Sequence, residues 1–233
     1  QLAYRISNMP ATEITHVISQ VTFPAYSKLQ DNLPKLREAY LRTLQLTAFL
    51  SIPIAGLIFI LAPDFTRIFL GEKWMPMVPA MQVLAIFGLM RALSGAGGQI
   101  VNAVGKPKFT TYFSAIQLAI LASIIYPFTL EYGILGTSVA VIIAFCFTFI
   151  PGQIVNCRII GLSFYKWLKS LTPATCASLI MGGIIYISKM NAGHPSILSF
   201  TLLLALAALI YTVIIAIFFK KQIAMLKQSI AMR

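Results

Sequence analysis

Acidic side chains are nearly absent. Aspartate and glutamate together supply six of 233 residues, against 18 lysines and arginines. Those six are Glu13, Asp31, Glu38, Asp64, Glu72 and Glu131, scattered so widely that no carboxylate pair suggests general acid–base work. Histidine is rarer still, and His16 and His194 lie too far apart to suggest a local ligand set. The three cysteines, Cys146, Cys157 and Cys176, form neither a CxxC pair nor a Cys–His grouping with metal spacing. They read as small buried hydrophobes. A glycine-rich phosphate loop, a GxSxG elbow and an HExxH helix are all missing. No enzymatic activity, cofactor or metal is expected. No signal peptide is expected either, because no charged region precedes a short apolar run. The sequence opens on Gln1 with an apolar stretch starting at once, and a missing N-terminal portion is the expectation.

Charge of either sign is also scarce, at 10% of residues, whereas a soluble domain carries about 25%. In its place stand hydrophobic residues, 58% of the chain, and a mean hydropathy of +0.85. A water-exposed surface cannot hold so much apolar area, but lipid can. A spanning helix needs about 20 largely apolar residues. Runs of that kind predict seven helices, at about 4–26, 42–62, 77–103, 109–130, 134–157, 171–189 and 197–219. A β-barrel is excluded, because it would show short alternating segments rather than long continuous apolar runs. The fold class is therefore all-α, a polytopic membrane protein.

The formal net charge of +12 would suggest nucleic acid in a soluble protein. Its distribution argues for membrane orientation instead. Lys28, Lys35, Arg37 and Arg42 fall in the first loop, and Lys106 and Lys108 in the third. Arg158, Lys166 and Lys169 fall in the fifth, and Lys220, Lys221, Lys227 and Arg233 in the tail. The even loops hold only Arg67, Lys73 and Lys189. Positive loops face the cytoplasm, so the odd loops and the basic tail, 220–233, are expected there. Pro53, Pro79, Pro127, Pro151 and Pro173 interrupt helices, which spanning segments tolerate. Gly95-Ala96-Gly97-Gly98 and Gly182-Gly183 read as close helix packing through small residues. The stretch Pro34–Tyr40 reads as a short amphipathic helix on the membrane surface.

Two arginines and a glutamate remain inside apolar segments. A charge at mid-helix costs about 2.5–3.5 kcal/mol on the insertion scale and faces a protein interior or a wet cavity. In the first helix Glu13, His16 and Gln20 form one polar stripe at i, i+3 and i+7. Arg5 lies about 80° around the helix from Glu13 and ~12 Å along it. The stripe either faces a cavity or packs polar to polar, with Arg5 reaching the interface. In the third helix Arg91, Gly95, Gly98 and Asn102 share a small, polar face. That face either lines a pore or buries Arg91 against another helix. Gln82, Gln99, Gln117, Gln153 and Asn156 are candidates for bonding across helices. Cationic groups in a cavity suit an anionic ligand, and Glu13 with His16 offers a possible coupling site for a proton or cation.

The sequence resembles the C-terminal portion of polysaccharide flippases, the Wzx-type O-antigen and exopolysaccharide transporters of the multidrug/oligosaccharidyl-lipid/polysaccharide exporter superfamily. The stretches that carry the resemblance are Ala3–Pro10, Val21–Gln30, Leu70–Trp74 and Asn102–Pro107, whose order and spacing cover about residues 3–157. The last two helices match only in position and hydropathy. The resemblance implies a two-lobed helical transporter. Residues 1–157 would be its C-terminal lobe, and 158–219 two additional transmembrane helices. It implies that undecaprenyl-diphosphate-linked oligosaccharide crosses the bacterial inner membrane by alternating access, for lipopolysaccharide or exopolysaccharide biosynthesis. In the related lipid II flippases the arginine of an R-x4-P helix faces the cavity and engages the diphosphate, and Arg5 with Pro10 keeps that spacing. Arg5 is thus the substrate-binding residue that the resemblance implies, while Arg91 and Asn102 join it on charge and placement alone. The expected partners are the lipid-linked substrate, membrane lipids and other polysaccharide assembly proteins, with no nucleic acid. A multidrug or small-molecule exporter of the same superfamily is the alternative, and it would want an acidic, aromatic-lined pocket. A membrane-bound glycan-processing enzyme is a second alternative, against which the short outer loops argue. A purely structural membrane subunit is a third.

Overall fold

A computed structural model of the chain describes residues 2–191 and 196–218. His194 and the tail residues Lys220, Lys221, Lys227 and Arg233 lie outside the described residues. The described chain is helical: α1 (Leu2–Lys28), α2 (Leu33–Phe65), α3 (Val78–Ala103), α4 (Lys108–Ile159), α5 (Phe164–Asn191) and α6 (Ile197–Phe218). Among the described residues, five helices are long and apolar enough to cross a membrane. The helix α1 falls outside that set, because its polar stripe dilutes an otherwise apolar segment.

The stretch Pro34–Tyr40 is not a separate surface helix but the first turns of α2. Asn32 caps that helix by accepting from the Lys35 backbone N–H at 3.2 Å, and Pro34 stands in the first turn, where its missing N–H costs nothing. The segment after α2 is likewise helical rather than an open loop. A π-helical turn (Thr66–Leu70) and a 3₁₀ turn (Glu72–Met77) lead into α3.

Run straight, the 52 residues of α4 would reach about 78 Å at 1.5 Å per residue, far beyond a hydrocarbon core of about 30 Å. The run instead folds back at Gly133, whose φ of 56° and ψ of −131° are foreign to a helix. Side chains avoid that region, so glycine is the residue that can turn there. The hydroxyls of Thr129 and Thr137 meet across the bend at 2.9 Å. Residues from both ends of α4, Phe113 and Asn156 among them, line one cleft. The two arms, 108–132 and 134–159, therefore form an antiparallel hairpin.

The helices α1 and α3 run parallel. Ser7 donates to the Met81 carbonyl at 3.0 Å, Ala11 lies against Gly88 and Thr15 against Gly95. A Cβ at Gly95 would come 2.6 Å from Thr15 Cγ2, so the small residue sets the approach. Interfaces of this kind are what spanning helices use in place of a hydrophobic drive. Three buried clusters hold the bundle. Met77, Met81, Leu84 and Phe87 gather near the start of α3. Tyr26, Leu36, Tyr40, Ile100, Ile160 and Trp167 gather at the opposite end. Met181, Ile185, Leu203 and Ala207 join α5 and α6 to Leu61 of α2. Outside them Leu118, Tyr126, Leu130, Leu179 and Leu202 stand fully out from the bundle, as lipid contact permits and water would not.

Cys157 is buried, as expected, and Cys146 is half-buried near Met90. Cys176 is exposed, which corrects the expectation of burial: it sits on the outward face of α5.

Candidate functional site

The outward face of α1 carries its charged residues, Arg5 and Glu13, with His16 and Gln20. Ala3, Ser7, Asn8, Ala11, Thr22 and Tyr26 turn inward and are buried. Arg5, Met9, Glu13, His16 and Gln20 turn outward and are exposed. With 3.6 residues per turn these positions fall on one side of the helix, so sealing the apolar side against α3 leaves Arg5, Glu13 and His16 on the open side. His16 and Gln20 meet at 3.4 Å between Nε2 atoms. Pro10 stands within the helix, at the turn between Arg5 and Glu13.

Arg91 approaches α1 from α3. It is half-buried, and its Nη1 donates to the Tyr4 hydroxyl at 3.3 Å, which brings it beside the residue preceding Arg5. Arg91 thus stands near the middle of α3, between Gly88, which packs on Ala11, and Gly95, which packs on Thr15, whereas Arg5 is near the start of α1. The other members of the small polar face of α3 divide. Gly95 is packed against Thr15. Gly98 meets nothing within 4 Å of where its Cβ would be and lines a cleft. Asn102 is exposed at the last turn of α3, outside the lining of that cleft. The structure thus ties Arg91 to α1 through Tyr4 and keeps Asn102 about three turns from Arg91 by helix rise.

The cleft lies between α3 and the two arms of α4 and encloses about 200 Å³. Sequence reasoning treated Gln117, Gln153 and Asn156 only as bonds between helices. Gln82 and Gln153 do bond so: Gln82 Nε2 donates to the Phe59 carbonyl at 2.9 Å, and Gln153 Oε1 accepts from Tyr40 Oη at 3.2 Å. Gln117 and Asn156, with Gln153, also line the cleft. The signal available in the sequence was their pairing with nearby phenylalanines on both arms, which becomes a site only when the hairpin closes.

Tyr40 is the hub behind this wall. Its hydroxyl accepts from Trp167 Nε1 at 2.8 Å and donates to Gln153, joining α2, α4 and α5 through one buried oxygen. Beside it, Arg37 Nε and Nη2 both donate to the Ile160 carbonyl, at 3.1 and 3.0 Å. That carbonyl is one of those the last turn of α4 leaves without a helical partner. The chain turns away next at Gly161, with φ of 64°, where a Cβ would press on the Arg37 guanidinium at 2.8 Å.

An all-α polytopic membrane protein is what these observations define. Residues 1–79 match a family described as polysaccharide biosynthesis protein. A membrane protein in the cps region of Klebsiella pneumoniae is 30% identical over 142 residues, 61% of this chain and 29% of its own. The teichuronic acid biosynthesis protein TuaB of Bacillus subtilis is 26% identical over 84% of this chain and 40% of its own. The lipopolysaccharide biosynthesis protein WzxC of Escherichia coli is 24% identical over 77% of this chain and 34% of its own. The chain spans well under half the length of these three relatives. No solved structure matches it. The resemblance to Wzx-type polysaccharide exporters, read from the motifs above, is borne out by these matches.

Proposed function

We propose that the chain forms the C-terminal part of a flippase that carries undecaprenyl-diphosphate-linked oligosaccharide across the bacterial inner membrane by alternating access. Residues 1–157 serve as the second lobe, and 158–219 add two helices to it. The odd loops and the tail lie in the cytoplasm, following the bias of their lysines and arginines. The observation that carries this reading is the placement of Arg5 and Arg91. Arg5 is exposed on the outward face of α1, and Arg91 is half-buried midway along the neighbouring α3, where it donates to Tyr4 of α1. Each costs about 2.5–3.5 kcal/mol at bilayer depth, and a diphosphate repays that cost because the guanidinium fork pairs two oxygens at once. Glu13 and His16, one turn apart on the same face, are the place for a coupling proton or cation. The apolar outer faces of the helices hold the lipid tail in the bilayer while the saccharide crosses beside them.

The relatives named for teichuronic acid and lipopolysaccharide biosynthesis support a polysaccharide substrate. A multidrug exporter would want an acidic pocket, and Glu13 is the only acid on this face. The test uses the full-length protein in cells. Arg5→Ala and Arg91→Ala should each abolish surface polysaccharide while the protein level in the membrane is unchanged. Normal export with both substitutions present removes the cationic site from the mechanism.

A further inference from the structure

We propose that the cleft between α3 and the arms of α4 is a binding subsite for one neutral pyranose ring of the exported saccharide. The proposal rests on the flippase reading above and adds to it a place and a set of contacts. None of the residues that line the cleft is charged, so a phosphate or a cation has no partner there. Four phenylalanines, Phe109, Phe113, Phe145 and Phe149, line it. Aromatic faces are electron-rich, and the C–H side of a pyranose packs against such faces. Between them stand amides and hydroxyls. Asn156 is only 5% exposed and Gln153 only 1%, yet both border the opening. The Gln153 carbonyl is held by Tyr40, whose own lone pair is engaged by Trp167. That arrangement leaves the Gln153 amide N–H₂ to donate into the cleft. Asn156 and, from the facing arm, Gln117 each add a donor and an acceptor. Ring hydroxyls need this mixture, whereas a purely apolar tail would leave it unsatisfied.

Size narrows the ligand further. The cleft's roughly 200 Å³ is below the about 300–1,000 Å³ of a site that swallows a whole drug-sized ligand. It holds about six waters at ~30 Å³ each, or one sugar ring. Its position fits a ligand with an anion at one end. Gly98 at the cleft lies seven residues from Arg91 along α3, roughly 10 Å at 1.5 Å per residue. A diphosphate beside Arg91 would place the following sugar within reach of the cleft.

The experiment compares two probes on purified full-length protein in nanodiscs: undecaprenyl diphosphate, and undecaprenyl diphosphate bearing one hexose. Gln117→Leu and Asn156→Leu should weaken binding of the sugar-bearing lipid at least tenfold and leave the bare diphosphate lipid unchanged. Arg91→Ala should weaken both. Gln117 is half-buried on the outer arm, so its variant keeps the test open where Asn156→Leu fails to fold. Equal affinity of the Gln117 variant and the parent for the sugar-bearing lipid overturns the subsite. A Gln117→Cys variant that aqueous thiol reagents cannot reach in any state overturns it too, since a helix of the intact protein then fills the cleft. Failure of the unsubstituted protein to bind either lipid is a different result. It overturns the flippase reading itself and the subsite with it.

Discussion

Lys189, near the end of α5, reaches across to the end of α2, where its ammonium lies 2.9 Å from Asp64 Oδ2 and donates to the Ile60 carbonyl at 3.1 Å. Both side chains are largely covered, at 26% and 12% exposure. The pair therefore stands between exposed pairs, worth about 0–1 kcal/mol, and fully buried ones, whose disruption costs about 3–5 kcal/mol. Lys189→Met leaves Asp64 covered with no cation, and we expect a loss of about 1–3 kcal/mol. Asp64→Asn together with Lys189→Met should recover most of it, because no uncompensated charge remains. Thermal unfolding of the four proteins in one detergent measures the coupling. A double variant as unstable as the single one shows the pair to be incidental. In the sequence Lys189 was visible only as the lone base of its loop, and Asp64 as one of two acids offsetting the bases of another. Their meeting depends on tertiary packing between α2 and α5, which no spacing rule reports.

At the scale of the element, the hairpin of α4 is the feature on which the cleft depends. Apolar runs on either side of Glu131 and Gly133 were legible as two spans, and the need to turn followed from bilayer thickness. The manner of turning was not legible, because helical hydrogen bonding continues on both sides of Gly133 with no loop residues to mark it. The backbone there has φ of 56° and ψ of −131°. Next to it Gly136 is so close to the Phe128 carbonyl that a Cβ would overlap it. Residues forced into such regions cost about 1–3 kcal/mol each. Gly133→Val should therefore open the bend. The check is a crosslink: in a background without Cys146, Cys157 and Cys176, Thr129→Cys and Thr137→Cys should form a disulfide readily. That crosslink should be largely lost once Gly133→Val is added. Undiminished crosslinking would mean that the bend tolerates a side chain. Pro34–Tyr40 illustrates the opposite error. Its amphipathic pattern suggested a surface helix, but Leu36 and Tyr40 are fully buried and lie against Tyr26, Ile160 and Trp167, so packing drew the segment into α2.

For the whole molecule the question is which face meets water. Composition was enough to show that most of the surface meets lipid, and the exposed leucines and isoleucines of the α4 arms, α5 and α6 agree with that. Composition could not show which side of α1 is open. That followed from the parallel docking of α1 on α3, where Gly88 and Gly95 accept Ala11 and Thr15 and turn the opposite side outward. Lipid is a poor neighbour for this side. Arg5, Glu13, His16 and Gln20 together would lose their hydration to hydrocarbon, at about 2.5–3.5 kcal/mol for an arginine or an acid alone. A hydrated gap against the rest of the transporter avoids that loss. Cysteines placed singly at positions 5, 13 and 16 of the cysteine-free full-length protein should then react with a charged, membrane-impermeant thiol reagent. Cysteines at Ala3 and Ala11, on the sealed side of the same helix, should react at least tenfold more slowly. Alternating access adds a second expectation, since positions 5 and 16 lie about 16 Å apart along the helix at 1.5 Å per residue. Reagent supplied from one side of the membrane should reach one of them faster, and adding substrate should change the ratio of the two rates. Equal, slow labelling at all five positions would show that the polar face of α1 is packed against protein or lipid, and the arginines would then have to be explained as structural.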